Sequence, residues 1–253
     1  MGAYSEEQIK KVCHNVIENL ANVMDTPEWQ DMSINVAAAV TMALNADKEA
    51  ALKEELVNVS RNLYYQGFFA GTSGNISARL SSERLMITPS GVSKLKLAPQ
   101  QIVVTDSDGN YISGDGSPSS EIKMHLAIYR KRADVNAVVH AHPPFTTGFA
   151  AAGLPLDQPV LPEAILVLGR IPIVEYGTPS TRELPEALEP YMKDHNAFLL
   201  ANHGALTIGS DIVQAAHRIE TMELFAKVIL IARMLGGEKL LTEDQLKKLA
   251  NIK

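Results

Sequence analysis

From residue 68 onward the chain alternates short β-type runs with helical stretches, and this alternation indicates a mixed α/β fold. The first β-type runs are separated by glycine, serine, aspartate and asparagine, and they read GFFAGTSGNISARL, LMITPSG and QIVVTDSDGNYISGDG. The DG and GN pairs of the third run favour a hairpin turn. Later strands are expected in VNAVVHAH, ILVLG, IPIVEYG, AFLLANHG and ALTIG.

Helical spacing of apolar side chains predicts several helices around these strands. The expected helices within the α/β region cover about 119–132, 145–152, 180–194 and 211–235. Residues 5–24 and about 28–65 also have helical spacing, with a break at Thr26-Pro27. We therefore expect a helical N-terminal extension over residues 1–50 and the main domain over residues 51–253.

The amino-acid composition limits the kinds of binding partner that are expected. A net charge of -6 gives no general attraction to nucleic acid or to an anionic membrane, so neither partner is expected. The single cysteine, Cys13, excludes a disulfide within the chain and a cysteine-cluster zinc site. No apolar run reaches the length of a membrane span and no signal pattern is present, so a cytoplasmic protein with a small ligand is expected.

Three histidines form a candidate metal site. His140 and His142 alternate in the strand VVHAH, so both imidazoles project from the same face. His203 follows another apolar strand, in FLLANHGAL, and a glycine turn there can also deliver its ring to a sheet end. Three imidazoles with an open fourth position are typical of a catalytic metal site, with zinc favoured and manganese or cobalt as alternatives. A pair of hydrogen-bonded surface histidines is the alternative for HxH alone.

The other histidines carry no such pattern. His125 and His217 lie inside helical patterns, where a satisfied buried histidine is the simpler interpretation. His14 and His195 lie in polar surroundings and are expected to be solvated. None of the four is therefore predicted to bind the ion.

Glu121 opens the helix that follows SPSS, upstream of the histidine pair. A glutamate in a first turn is often only a favourable partner of the helix dipole. Ser119 and Ser120, however, add hydroxyl groups and backbone N–H donors at the same helix start, which suits a phosphate group. A carboxylate beside such an anion is a candidate for proton transfer.

Two further loops of small residues can bring backbone N–H groups close to an anion. They are GTSGN at 71–75 and TPSG at 88–91, and each is otherwise explained as a plain turn. Neither ends in GK[ST], and the chain contains no GxGxxG fingerprint. A small sugar phosphate is therefore favoured over a nucleotide.

The ordered set GTSGN, TPSG, SSE, HAH and NHG closely resembles the class II aldolase/adducin family, over about residues 55–235. The resemblance implies a three-layer α/β/α sandwich around a mostly antiparallel sheet, and a homotetramer with sites at subunit interfaces. It also implies a zinc-type ion on His140, His142 and His203, with Glu121 as the acid/base. The residues that match the phosphate cradle of the family are Gly74, Asn75, Ser90, Gly91, Ser119 and Ser120.

The chemistry that this resemblance implies is metal-dependent cleavage of a phosphorylated ketose, of the fuculose-1-phosphate or 5-deoxy-pentulose-1-phosphate kind, to dihydroxyacetone phosphate and an aldehyde. In the aldolases of this family a tyrosine protonates the aldehyde oxygen, but the corresponding stretch PVLPEAILVLG contains no tyrosine. Glu163 lies nearest in that stretch, and we consider Glu163 or Tyr176 as the substitute. A 4-epimerase or decarboxylase on the same scaffold is an alternative, although epimerases usually carry aspartate at the position of Glu121. A non-catalytic interaction module like the adducin head is the third interpretation.

Overall fold

The computed structural model describes residues 7, 10, 11, 13–16 and 27–251, and the side chains of 27–39 are not among what it describes. The chain divides into two compact units, Met1–Leu52 and Lys53–Lys253. Residues 7, 10, 11 and 13–16 are helical, while the rest of the predicted helix over 5–24 lies outside the described residues. Helix α1 spans Pro27–Tyr65, which agrees with the predicted helix at about 28–65.

The second unit is built on a mixed sheet of eight strands in the order β4-β3-β2-β1-β5-β8-β7-β6. All neighbouring strands are antiparallel except β6 and β7, which are parallel. The strands are β1 Asn75–Arg79, β2 Arg84–Ile87, β3 Val103–Asp106, β4 Tyr111–Ser113, β5 Ala137–Ala141, β6 Ile173–Val174, β7 Ala197–Leu200 and β8 Gly204–Gly209. Strand β5 therefore lies inside the sheet, with β1 and β8 as partners.

Six further helices surround this sheet. They are α2 Ile122–Lys131, α3 Pro144–Ala152, α4 Pro162–Leu168, α5 Glu183–Leu188, α6 Ile212–Met234 and α7 Glu243–Ala250. Helices α2 and α5 share one hydrophobic core with the sheet, in which Met124, Val138 and Phe198 are buried. Helix α6 packs against β5, β7 and β8 together with α3. The sheet thus has helices on both sides, which confirms the predicted three-layer α/β/α class.

Two proline residues control how β5 ends. Pro143 and Pro144 follow the strand, and Pro144 is the first residue of α3. Proline has no N–H to donate to a sheet, but its fixed φ suits the first turn of a helix. The strand therefore ends at Ala141, one residue before the end of the predicted strand VNAVVHAH.

The predicted strand ILVLG at 165–169 is wrong, because these residues belong largely to helix α4, Pro162–Leu168. Pro162 occupies the first helical position, and Gly169 ends the helix with a φ of 68°. A short apolar run is ambiguous between the two structures, and here the flanking proline and glycine decide for the helix. The helix expected over 180–194 is also shorter, since α5 is followed by a 3-10 turn, Glu189–Tyr191.

Among the residues that the structure describes, no helix has both the length and the apolar composition that a membrane span requires.

Candidate metal centre and substrate site

The three predicted histidines converge although they come from different parts of the sheet. His140 lies on β5, and His142 follows that strand by one residue. His203 lies in the turn between β7 and β8, next to Asn202, whose φ of 55° is one that asparagine tolerates. Since β8 pairs with β5, this turn opens beside the end of β5.

The rings lie close enough for one ion. Ring centroids are 4.8 Å apart for His140 and His142, 4.6 Å for His140 and His203, and 5.4 Å for His142 and His203. One ligand atom from each residue can be chosen so that all three lie within 4.8 Å of one another. Gly204 permits this approach, because a Cβ atom there would lie 2.8 Å from Cδ2 of His142.

The tautomer of His140 is fixed by its hydrogen bond. Its Nδ1 lies 2.9 Å from the carbonyl oxygen of Ala205, which can only accept, so Nδ1 carries the hydrogen. Burial and the two neighbouring imidazoles keep the pKa of His140 well below its usual value, so the ring is neutral. Its Nε2 is therefore a bare lone pair, and it is buried without a hydrogen-bond partner among the described residues.

Glu121 faces this cluster from the start of α2, where it occupies the N-cap position. Its Oε2 lies 3.3 Å from Nε2 of His140, and its Oε1 lies 3.4 Å from Nε2 of His203. The side-chain amide of Asn75 donates a hydrogen bond of 2.8 Å to Oε2. The structure therefore brings Glu121 together with the three histidines, as the sequence predicts.

These contacts fit a bound cation. A carboxylate only accepts hydrogen bonds, and so does Nε2 of neutral His140, so their approach places two electron-rich atoms side by side. Burial also lowers the pKa values of His142 and His203, which opposes the protonation that would make the contacts ordinary ion pairs. A divalent ion held by the imidazoles removes this conflict, because their nitrogens are then ligands.

The three small-residue loops lie against one another at the same end of the sheet. Pro89 and Pro118 form a β-bridge, and the N–H of Ser90 donates to the carbonyl oxygen of Ser117 at 2.9 Å. Loop 88–91 is thereby joined to loop 117–120. Loop 71–75 runs directly into β1, whose neighbour β2 leads into loop 88–91.

The predicted phosphate-cradle residues differ in exposure and in whether their polar groups already make hydrogen bonds. Ser90, Gly91 and Ser120 are exposed, whereas Ser119 is buried and its hydroxyl accepts the N–H of Glu121 at 3.3 Å. Asn75 is buried, and its amide is directed at Glu121 rather than at solvent. The exposed part of the cradle therefore consists of loops 88–91 and 117–120.

Lys94 is a residue of this region that sequence reasoning missed. Its side chain is only 1% exposed, and its Nζ donates to the carbonyl oxygen of Thr72 at 3.0 Å and to that of Val92 at 3.4 Å. Burial lowers the pKa of Lys94 to about 8, although the Glu121 carboxylate opposes this. The only signal in the sequence is a lysine four residues after TPS, which is also typical of an exposed turn.

Glycine at position 74 is required by the geometry of the first loop. Gly74 has a φ of 70°, and a Cβ atom there would clash with the ring of Phe69 and would lie 2.9 Å from the carbonyl oxygen of His140. We expect Gly74→Ala to lower the free energy of unfolding by about 1–3 kcal/mol more than Gly71→Ala, measured by denaturant unfolding. Gly71 is the matched control because its φ is 60° and nothing lies within 4 Å. Equal losses in the two variants would contradict the predicted clash.

Other residues considered from the sequence do not belong to the three-histidine group. Glu163 is exposed in the first turn of α4, and the side chain of Tyr176 is 59% exposed. His125 is buried and hydrogen-bonded, as expected, whereas His217 is exposed on α6.

Comparison with known proteins places these features in a family context. The family model described as Class II Aldolase and Adducin N-terminal domain matches residues 54–230. A 3-oxo-tetronate 4-phosphate decarboxylase from Haemophilus influenzae is 34% identical over 210 residues, which are 80% of this chain and 98% of that protein. A 5-deoxy-D-ribulose 1-phosphate aldolase from Bacillus thuringiensis is 36% identical over 200 residues, with coverage of 78% and 93%.

Solved structures agree with this likeness. The structure of an L-fuculose 1-phosphate aldolase has 32% sequence identity and a TM-score of 0.74, and the match covers 80% of this chain and 95% of that one.

Proposed function

Because this chain belongs to the class II aldolase and adducin family, which the match over residues 54–230 establishes, we propose that it is a metal-dependent aldolase that cleaves a phosphorylated ketose. The observation that carries the proposal is the convergence of His140, His142 and His203, with Glu121 facing them and with Nε2 of His140 presented as a bare lone pair. Three protein ligands leave room for oxygen atoms of a substrate, which is the arrangement of a catalytic site.

In this proposal, His140, His142 and His203 would hold a divalent ion, which would supply Lewis acidity for the ketose carbonyl and the adjacent hydroxyl group. The ring of His140 presents Nε2 because Nδ1 donates to Ala205. Glu121 moves protons at the reacting carbons, since its carboxylate is the acid/base group that faces the cluster. The expected products of C–C cleavage are dihydroxyacetone phosphate and an aldehyde.

The phosphate group is assigned to the loops at the same end of the sheet. Ser90, Gly91 and Ser120 are exposed and offer hydroxyl and backbone donors. The other three predicted residues of the cradle, Gly74, Asn75 and Ser119, are buried. The start of α2 adds the positive end of a helix dipole. Together these groups favour a small phosphorylated sugar.

Decarboxylation of a phosphorylated 3-oxo acid is the second candidate, because a relative 34% identical to this chain is named for it. Both reactions break a C–C bond beside a carbonyl group, so the same metal and carboxylate suit either. The test is a product assay with phosphoketoses, including 5-deoxy-ribulose 1-phosphate, and with 3-oxo-tetronate 4-phosphate. Loss of carbon dioxide from 3-oxo-tetronate 4-phosphate also leaves dihydroxyacetone phosphate, so that product does not distinguish the two reactions. Release of an aldehyde from a phosphoketose supports the aldolase, and release of carbon dioxide from 3-oxo-tetronate 4-phosphate supports the decarboxylase.

Absence of turnover on the whole panel, with far less than one ion per chain, would instead favour a non-catalytic module.

Three features stay predictions. They are zinc as the bound ion, a homotetramer with sites at subunit interfaces, and a proton donor for the aldehyde oxygen. Glu163 and Tyr176 are exposed on the single chain, so either would reach a site most directly from a neighbouring subunit. Metal analysis and light scattering test the first two predictions.

Lys94 is expected to strengthen the binding of the phosphate group, because its ammonium group bonds to Thr72 in loop 71–75 and to Val92, which directly follows loop 88–91. We expect Lys94→Met to raise KM by about tenfold or more at pH 7, with a smaller change in kcat. Since burial lowers the pKa of Lys94 to about 8, the ammonium loses its charge as the pH rises through that value. KM of the parent should therefore rise between pH 7 and pH 9.

Lys96→Met is the matched control, because Lys94 and Lys96 belong to the same 3-10 turn, Lys94–Lys96, and Lys96 is exposed. Steady-state kinetics at several pH values measure both effects. A KM of the Lys94 variant equal to that of the parent would remove Lys94 from the binding site.

A further inference from the structure

A continuous series of buried hydrogen bonds runs from the interior of the protein to Glu121. The hydroxyl groups of Tyr129 and Ser77 lie 2.8 Å apart, and Oγ of Ser77 lies 2.6 Å from Nδ1 of His125. Nε2 of His125 lies 2.5 Å from Oδ1 of Asn75, whose Nδ2 donates to Oε2 of Glu121 at 2.8 Å. The first four residues are all buried, so water does not compete for these bonds.

The chemistry of the groups fixes the direction of every bond in this series. The Glu121 carboxylate can only accept, so Asn75 presents its NH₂ group to Glu121 and its carbonyl oxygen to His125. Nε2 of His125 must then carry a hydrogen. Burial lowers the pKa of His125 to about 3, so the ring is neutral and has only that one N–H.

The rest of the series follows from this tautomer. Nδ1 of His125 is an acceptor, so the hydroxyl of Ser77 donates to it. The lone pair of Ser77 then accepts the hydroxyl of Tyr129. All donors thus point toward Glu121, and such aligned bonds polarise and strengthen one another.

The two carboxylate oxygens of Glu121 end up in different situations. Oε2 is held by Asn75, whereas Oε1 is buried and has no hydrogen-bond partner among the described residues. We propose that Asn75, Ser77, His125 and Tyr129 are positioning residues, which lock Glu121 through Oε2 and leave Oε1 as the oxygen that exchanges the proton with the substrate. The proton exchange rests on the proposed function, but the hydrogen-bond series does not.

The first test is the tautomer of His125 in the full chain. Nitrogen-15 NMR of the imidazole rings distinguishes Nε2–H from Nδ1–H, and the resonance of His125 is assigned by its absence from His125→Gln. We expect the neutral Nε2–H form. An Nδ1–H form would reverse the bond to Asn75 and overturn the proposal, whether or not the protein cleaves any phosphoketose.

The second test separates positioning from packing. His125→Leu removes the donor to Asn75, whereas the amide of His125→Gln can replace Nε2–H. We expect His125→Leu to lower kcat by about 10- to 100-fold, with KM and metal content close to those of the parent. His125→Gln should recover most of this loss. Equal losses in both variants, or no loss in either, would overturn the proposal.

Asn75→Leu gives a third comparison that stands even if His125→Leu does not fold. If Asn75 positions Glu121, the variant should have a lower kcat at nearly constant KM, because leucine cannot donate a hydrogen bond to Oε2. A direct role of the Asn75 amide in phosphate binding predicts a raised KM at nearly constant kcat, and that result would overturn the proposal. Absence of turnover by the parent enzyme would refute the proposed function and leave the NMR experiment to decide on the hydrogen-bond series.

Discussion

Glu121→Gln is expected to lower kcat by about two to four orders of magnitude, the usual contribution of a positioned acid/base group. The amide is nearly isosteric and can still accept the hydrogen bond from Asn75, so the fold and the position of the side chain should persist. The amide nitrogen then replaces Oε1, and an amide NH₂ group cannot take up a proton as the carboxylate does. The loss should therefore appear in kcat, with KM for the phosphoketose changed by less than about threefold.

Glu186→Gln is the control for this experiment. Glu186 is an exposed glutamate in the first turn of α5, so the substitution removes the same charge from a comparable helix position. Single-turnover kinetics in both variants separate the chemical step from product release. Full activity in Glu121→Gln would remove this residue from the mechanism. Phosphate binding would then be the one proposed function of the N-terminus of α2.

Removal of the divalent ion is expected to lower activity by about three orders of magnitude, because a Lewis acid contributes several kcal/mol to such a reaction. We expect about one ion per chain before chelation and recovery of activity when zinc is returned. The melting temperature should fall with the ion, since the ion stabilises only the folded arrangement of the three histidines. Metal analysis, activity and thermal unfolding are measured on the same samples.

His203→Ala and His217→Ala make the matched pair for metal binding. His203 belongs to the cluster and lies in a turn, where loss of the ring creates little cavity, whereas His217 is exposed on α6. Only the first variant should lose the ion. Full activity of the parent at far less than one ion per chain would rule out the proposed metal chemistry.

The sequence was sufficient to predict the elements that bear this site. The alternation in VVHAH and the proline pair after it predict where β5 ends and which face carries His140 and His142. The positions of Glu121 and His203 beside them depend on sheet order, which local patterns do not specify. Their convergence is expected only from the resemblance to a known family. The sequence suggests a strand in place of helix α4 because the four-residue apolar run ILVL has no decisive period.

Other features were not accessible from sequence because they depend on contacts between distant residues. The buried ammonium group of Lys94 donates hydrogen bonds to two carbonyl groups, one of which lies 22 positions earlier in the chain. The interpretation of His125 as a buried histidine was right, but its partners Ser77 and Asn75 are 48 and 50 positions away. Local propensity carries no information on such pairings, so the hydrogen-bond series that ends on Glu121 became apparent only in the folded chain.

The interior position of β5 constrains how this protein can diversify. The strand is bonded on both sides, to β1 and to β8, so a shift of His140 by one residue would break two ladders and turn its ring to the opposite face. Inherited changes of substrate are therefore expected elsewhere, most readily in the irregular connections between α3 and α5, where α4 and the two-residue β6 are the regular elements. One rigid centre with an adaptable periphery would explain why relatives named for aldol cleavage and for decarboxylation are about equally similar to this chain.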